Sequence, residues 1–117
     1  MRSDTTQYII YFNQTWVGDH SEEWFASRGP LANAVVEEIK TAGAYVFAAG
    51  VDEDMAGAFS ADATSGTLVV TDGPIPANEA RIGGLTIIDV ADDETAKVWG
   101  GRIAEACGWP QEIRRVY

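Results

Sequence analysis

Few side chains in this 117-residue chain are suited to chemistry, so each can be weighed. Asp72 lies in the run Thr71-Asp72-Gly73-Pro74. Its carboxylate has two uses in such a place. It can accept backbone N–H groups in an Asx-type turn, or it can face a cleft as general base or ligand anchor. Gly73 supplies a backbone conformation costly for other residues, and Pro74 fixes the exit of the turn. His20 is the single histidine and the only side chain whose unperturbed pKa lies near neutrality. It is either a solvated ring at a helix start or a general acid/base at a cleft mouth. Asp72 and His20 are therefore the catalytic candidates. Tyr11, Asp72, Gly73, Pro74 and Arg81 form the ligand-binding set. Arg114 and Arg115 point to opposite faces of a strand, so one of them can look into a cleft and hold a carboxylate.

Neither a metal nor a cofactor is expected. One histidine and one cysteine, far apart, do not make a zinc site. Asp52, Glu53 and Asp54 lack the spacing and internal glycine of an EF-hand loop. Gly83-Gly84 entering a strand is neither a dinucleotide fingerprint nor a P-loop, and reads as close backbone approach or a bulge. Cys107 reads as a packed thiol.

Eighteen acidic against eight basic residues give a net charge of −10. Such a chain repels phosphate backbones and anionic lipid unless its cations cluster, and apart from Arg114-Arg115 they are scattered singly. Nucleic acid and membrane are not expected partners. The single cysteine cannot form an internal disulfide, and the opening MRSDTTQ has no apolar secretory core, so the expected compartment is the cytoplasm. The length suits one domain, 7–117, after a disordered segment 1–6.

The candidate residues need elements to hold them. Gln7–Asn13 and Gly84–Val90 are apolar on both faces and read as central strands. Ser21 or Asp19 can cap a helix whose apolar positions Trp24, Leu31, Val35 and Ile39 share one face. Gly29-Pro30 is expected to break it into a short helix and a longer one from about Leu31 to Thr41. A strand at Ala44–Val51 follows. A hairpin comes next, with strands near Phe59 and at Thr67–Thr71 around a turn at Ala63–Gly66. The second helix is capped by Asp92 or Asp93, and its Gly100-Gly101 pair implies close packing on the sheet. QEIRRVY is the last strand. The order β-α-β, hairpin, β-α-β predicts an α+β fold, a ferredoxin-like βαββαβ sandwich with an inserted β-hairpin. Two helices cover one face of its sheet. A second copy is the simplest cover for the other, which predicts a homodimer packed sheet to sheet.

TDGP at Thr71–Pro74, an eight-residue gap, and Gly83-Gly84 leading into a strand that ends in acid resemble the YCII-related family, in its DGPF-domain branch. The opening QYIIYF, the Glu pair before the first helix, the Ala42-Gly43 ending and AKVWGGRIA agree in order, so the resemblance covers Gln7 to Tyr117. It implies the dimeric α/β-barrel type of fold with a cleft between sheet and loops. Some relatives look like lactone-processing or dehalogenating enzymes, and some occur beside sigma factors. The chain departs from the family at Ile75, where the signature has Phe, and at Ala77 and Ala80, where acids are common. Counting back from Gly43, a His/Asp pair found in relatives is replaced by Ala32 and Thr41. Two functions follow as expectations: a small-molecule-binding protein without that acid/base pair, or a small-molecule enzyme using Asp72 and His20 on a lactone-like or carboxylate-bearing substrate.

Overall fold

A computed structural model of the protein describes residues 4–75 and 81–117. The expectation for residues 1–3 and for Ala77 and Ala80 falls outside them, while Thr6, expected in the disordered segment, already belongs to the first strand. The elements are β1 (Thr6–Asn13), α1 (Glu22–Thr41), β2 (Tyr45–Gly50), β3 (Phe59–Asp62), β4 (Val69–Asp72), β5 (Ile82–Val90), α2 (Asp93–Cys107) and β6 (Glu112–Val116). Short 3-10 turns at Gln14–Trp16 and Met55–Gly57 were not foreseen from the sequence. The protein is thus α+β, with two helices, a four-stranded antiparallel sheet in the order β2-β5-β1-β6, and a separate two-stranded sheet of β3 and β4.

The two strands that read as apolar on both sides are indeed the central pair. Alternation sends Tyr8, Ile10, Ile88 and Val90 into the core, where Val35 and Ile39 of α1 and Ala96 and Ile103 of α2 meet them. Ile10, Ile39 and Ile88 are fully buried. The opposite parity, Ile9, Tyr11, Leu85 and Ile87, forms the other sheet face and is only half-buried. Ile9 lies directly across from Ile87, and Tyr11 across from Leu85.

Ser21 caps α1, its Oγ accepting the Trp24 N–H at 3.1 Å, and Glu22 and Glu23 suit the positive end of the helix dipole. The helix then runs without interruption to Thr41, so the expected break at Gly29-Pro30 does not occur. Proline removes one backbone bond, but packing on both sides of it, by Trp24 and by Val35 and Ile39, holds the segment helical. Leu31 is exposed and Ala32 packs on the core in its place, because Leu31 lies at the edge of the buried arc. In α2, Gly100 is buried where a Cβ would come within 2.8 Å of Ile113 Cγ1, whereas Gly101 faces open space. One glycine of the pair therefore serves the close helix-to-sheet approach.

Asp92 caps α2 with its Oδ1 on the Thr95 N–H at 2.8 Å. The next residue, Asp93, accepts the Tyr8 hydroxyl at 2.5 Å and pairs with Arg115 at 3.0 Å. Those bonds, Tyr8 first, hold the Asp93 carboxyl below its ordinary range. The Thr95 hydroxyl and N–H do the same for Asp92, and the Thr64 N–H and hydroxyl for Asp62. A carboxylate with a lowered folded pKa adds stability above its unfolded value, about 4, and that stability is lost as the pH falls through the folded value. The urea midpoint is therefore expected to stay level from pH 7 to about 5 and to decline below about 4. Asp93→Asn should flatten part of that decline. A wild-type midpoint unchanged down to pH 2 would contradict the assignment.

Candidate functional site

A cavity of about 500 Å³ opens between α1 and the helix-facing side of the sheet. This is within the usual range for small-molecule sites. Its floor is Ile10 and Phe12 of β1, Gly84 and Thr86 of β5, and Tyr45 and Ala48 of β2. Its roof is the α1 face carrying Phe25, Arg28, Ala32 and Val36. Ile103, Cys107, Trp109 and Gln111 close the α2 side.

The paired glycines create the floor. Phe12 pairs with Gly84 and Asn13 with Ile82, so Gly83 is the extra residue of a β-bulge. The Phe12 ring lies across both glycines: a Cβ on Gly84 would stand 2.9 Å from its Cε1 and 3.3 Å from the Ala49 carbonyl oxygen. Both sequence readings of this pair, bulge and close approach, hold at once.

One end of the cavity is walled by rings. Phe12, Trp24 and Phe25 surround Trp109 with centroids 5.0, 6.0 and 5.5 Å away. The Trp109 indole N–H is buried without a hydrogen-bond acceptor among the described residues. A hollow of about 470 Å³ shares Phe12, Phe25 and Trp109 with the cavity.

The polar groups of the cavity are few. Arg28 lies over the Trp24 ring at 4.8 Å and donates from Nε to Ser27 Oγ at 3.0 Å. No carboxylate among the described residues pairs with it. Lys40, by contrast, is tied to Glu37 at 3.0 Å and sits over Tyr45. The Cys107 Sγ accepts from Gln111 Nε2 at 3.1 Å, and burial pushes its thiol pKa up, against the smaller pull of backbone and Gln111 bonds. A thiol so held is a packing group and a poor nucleophile at neutral pH.

The residues picked from the sequence lie elsewhere, and on separate elements. Tyr11 is on the opposite face of the sheet, its hydroxyl donating to Glu112 Oε2, with Arg114 on the same side of β6. Arg115 is on the helix-facing side, paired with Asp93, so the two arginines do point apart. His20 stacks on Trp24 at 3.6 Å and meets Phe25 edge-on, outside the cavity lining. Asp72 ends β4 and is exposed. Its carboxylate accepts no hydrogen bond among the described residues, so neither the Asx turn nor a cleft position is observed. Gly73 has φ +96°, donates to the Ala58 carbonyl at 2.7 Å, and its own carbonyl accepts from Ser60 Oγ at 2.7 Å. Pro74 follows, half-buried. Arg81 lies just before β5, where its backbone N–H reaches Asn13 Oδ1 and its carbonyl accepts from the Gln14 N–H at 2.6 Å. The acidic run is local structure, with Asp52 accepting the Asp54 N–H at 2.9 Å and Asp54 the Ala56 N–H at 3.0 Å.

Sequence reasoning missed the cavity because its makers are small or apolar: Ala32, Val36, Ala48 and the two glycines. The signal was the smallness of residues facing a helix. Among the described residues, no group of three or more His, Cys, Asp or Glu gathers to hold a metal, and no helix is long and apolar enough to cross a membrane. No protein-family model matches the chain, and no curated protein matches it at a significant level.

Two outcomes check this geometry. Cys107 is expected to react with iodoacetamide at pH 7.5 far more slowly in the folded protein than in 8 M urea; equal rates would contradict the buried thiol. Gly84→Val should overpack Phe12 and lower unfolding free energy by about 1–3 kcal/mol, read as a reduced urea midpoint with an unchanged slope. An unaltered midpoint would contradict the close approach.

Proposed function

We propose that this protein binds a small, largely apolar molecule carrying an anionic group in the cavity between α1 and the sheet, and does no chemistry on it. The observation that carries the reading is the lining itself: apolar walls, Arg28 with no carboxylate partner among the described residues, a Glu37–Lys40 ion pair, and a single neutral, buried thiol. Apolar walls supply affinity and one convergent charge supplies orientation. The one carboxylate in the lining, Glu37, is held by Lys40 at 3.0 Å, and the one thiol is buried.

The same reading places the chain in the YCII-related family, DGPF-domain branch, as a ferredoxin-like fold of the dimeric α/β-barrel type. In support, the sheet order β2-β5-β1-β6 joins two β-α-β units with both helices over one face. Within that kinship the absent His/Asp pair is informative. Ala32, which takes the position of the histidine, lines the cavity, and Thr41 commits its hydroxyl to the Glu37 carbonyl at 3.0 Å. Binding without turnover follows. The enzyme reading through Asp72 and His20 has less support, since neither lines the cavity. The half-buried apolar face of Ile9, Leu85, Ile87 and exposed Phe47 favours a homodimer packed sheet to sheet. A free, buried Cys107 suits the cytoplasm.

The test uses 4-phenylbutyrate and its neutral amide as probes. The acid at saturation is expected to raise the melting temperature by about 4 °C or more, corresponding to about 1 kcal/mol, and to be recovered unchanged. Ala48→Trp, which fills the cavity, should abolish the shift, and Arg28→Ala should erase the preference for acid over amide. An equal shift in Ala48→Trp would place the probe elsewhere. A chemical product would replace binding with catalysis.

A further inference from the structure

The β3–β4 hairpin is an arm whose apolar side is exposed, with no cover among the described residues of its own chain. The register pairs Phe59 with Asp72 and Ala61 with Val70, so these four side chains share one face, while Ser60, Asp62, Val69 and Thr71 share the other. On the first face Phe59 is 77% exposed and Val70 66%. Leu68, just before β4, is 65% exposed. The arm is not hydrogen-bonded into the main sheet. The molecule is extended, with a radius of gyration of 16.5 Å against about 13 Å for a compact chain of this length. An isolated two-stranded hairpin is marginal in water, and an uncovered Phe59–Val70 surface adds to that cost.

We propose that the arm packs its Phe59–Val70 face on a second copy of this chain, along the β6 margin of that copy's apolar sheet face beside the sheet-to-sheet contact, and brings Asp72 to Arg114 of that copy. The proposal rests on the sheet-to-sheet dimer above and extends it. Three observations select a second copy as the occupant. The first is charge. Between Lys40 and Arg81 the chain has no basic residue, and it carries Asp52, Glu53, Asp54, Asp62, Asp72 and Glu79. Among the described residues the open sheet face presents one cation, the exposed Arg114 opposite Ile9 on the edge strand β6, beside Tyr11 and Glu112 and with Asp89 two strands away. Asp72 is the acid on the apolar side of the arm, and no group of its own chain among the described residues engages it.

The second is area. Four strands about 4.8 Å apart and about 23 Å long on average give a face of about 440 Å², short of the about 800 Å² per partner of a stable interface. The arm adds about 130 Å² on the same geometry, and side-chain relief enlarges both. The third is number. Each copy owns one uncovered arm face and one uncovered sheet face, and a two-fold pairing covers all four at once. Asp72 then has a use that neither a turn nor a cleft of its own chain provides.

Sedimentation equilibrium on the full chain tests this, with circular dichroism confirming that each variant is folded. The surface changes compared are Phe59→Ser with Val70→Ser in the arm, Phe47→Glu on the sheet face, Asp72→Arg, Arg114→Asp, and the last two combined. Wild type is expected at twice 12.6 kDa. The arm pair should raise the dimer Kd at least about tenfold. Each charge reversal should also weaken the dimer, and the combined swap should recover most of the loss. If the arm variants and charge reversals dimerise like wild type while Phe47→Glu dissociates, the arm proposal is overturned and the sheet dimer stands. If the arm variants dissociate and Phe47→Glu does not, the arm carries the interface and the sheet reading fails. A monomeric wild type overturns both.

Discussion

Ile10, Ile39 and Ile88 meet between the central strands and α1, and the remaining features follow from that contact. Three branched side chains at full burial contribute about 1.5–3 kcal/mol each relative to exposure, which fixes the strand parity that faces the helices. With parity fixed, Tyr8 and Thr86 must face inward and Ile9, Leu85 and Ile87 must face out. The same contact anchors the C-terminal half of α1 on the sheet through Val35 and Ile39. The N-terminal half reaches the sheet through rings, Trp24 and Phe25 meeting Trp109 and Trp109 meeting Phe12 of β1. Between these two supports the helix spans small residues, and the cavity is the space left under the span.

The cavity and the outward face are thus two results of one constraint. Among the described residues the two helices lie over one side of a sheet whose central strands carry apolar residues on both faces. One side is closed by helices, with a gap left beneath Ala32 and Val36. The other side is left to a second copy in the proposed dimer. In that proposal Asp72 belongs to the second problem, for it ends the hairpin strand β4, is exposed, and does not line the cavity.

The sequence made the architecture legible where periodicity was strong. Central strands, both caps, the inserted hairpin, and the opposed Arg114 and Arg115 were all readable from spacing and residue type. Pro30 misled because a proline rule is local, while α1 is held by packing at both ends. Leu31 misled because one residue of helical phase separates the edge of a buried arc from its centre. The candidate site was far less legible. Asp72 and His20 stood out by their chemistry, yet a single chain cannot reveal that one caps no turn and the other stacks on Trp24. Ala32, Ala48, Gly83 and Gly84 make the cavity by what they lack, and absence of bulk becomes meaningful only once the facing element is known.

The central claim is that the ligand site lies under α1 and apart from Asp72 and His20. Amide chemical shifts of the 15N-labelled protein, titrated with 4-phenylbutyrate, test it most directly. A site under α1 predicts concerted, saturable shifts at Ala48, Gly84 and Thr86 on the sheet and at Gly29 and Ala32 on the helix, with Asp72 and His20 unmoved. Shifts centred on Asp72 and His20, with the cavity residues silent, would contradict it.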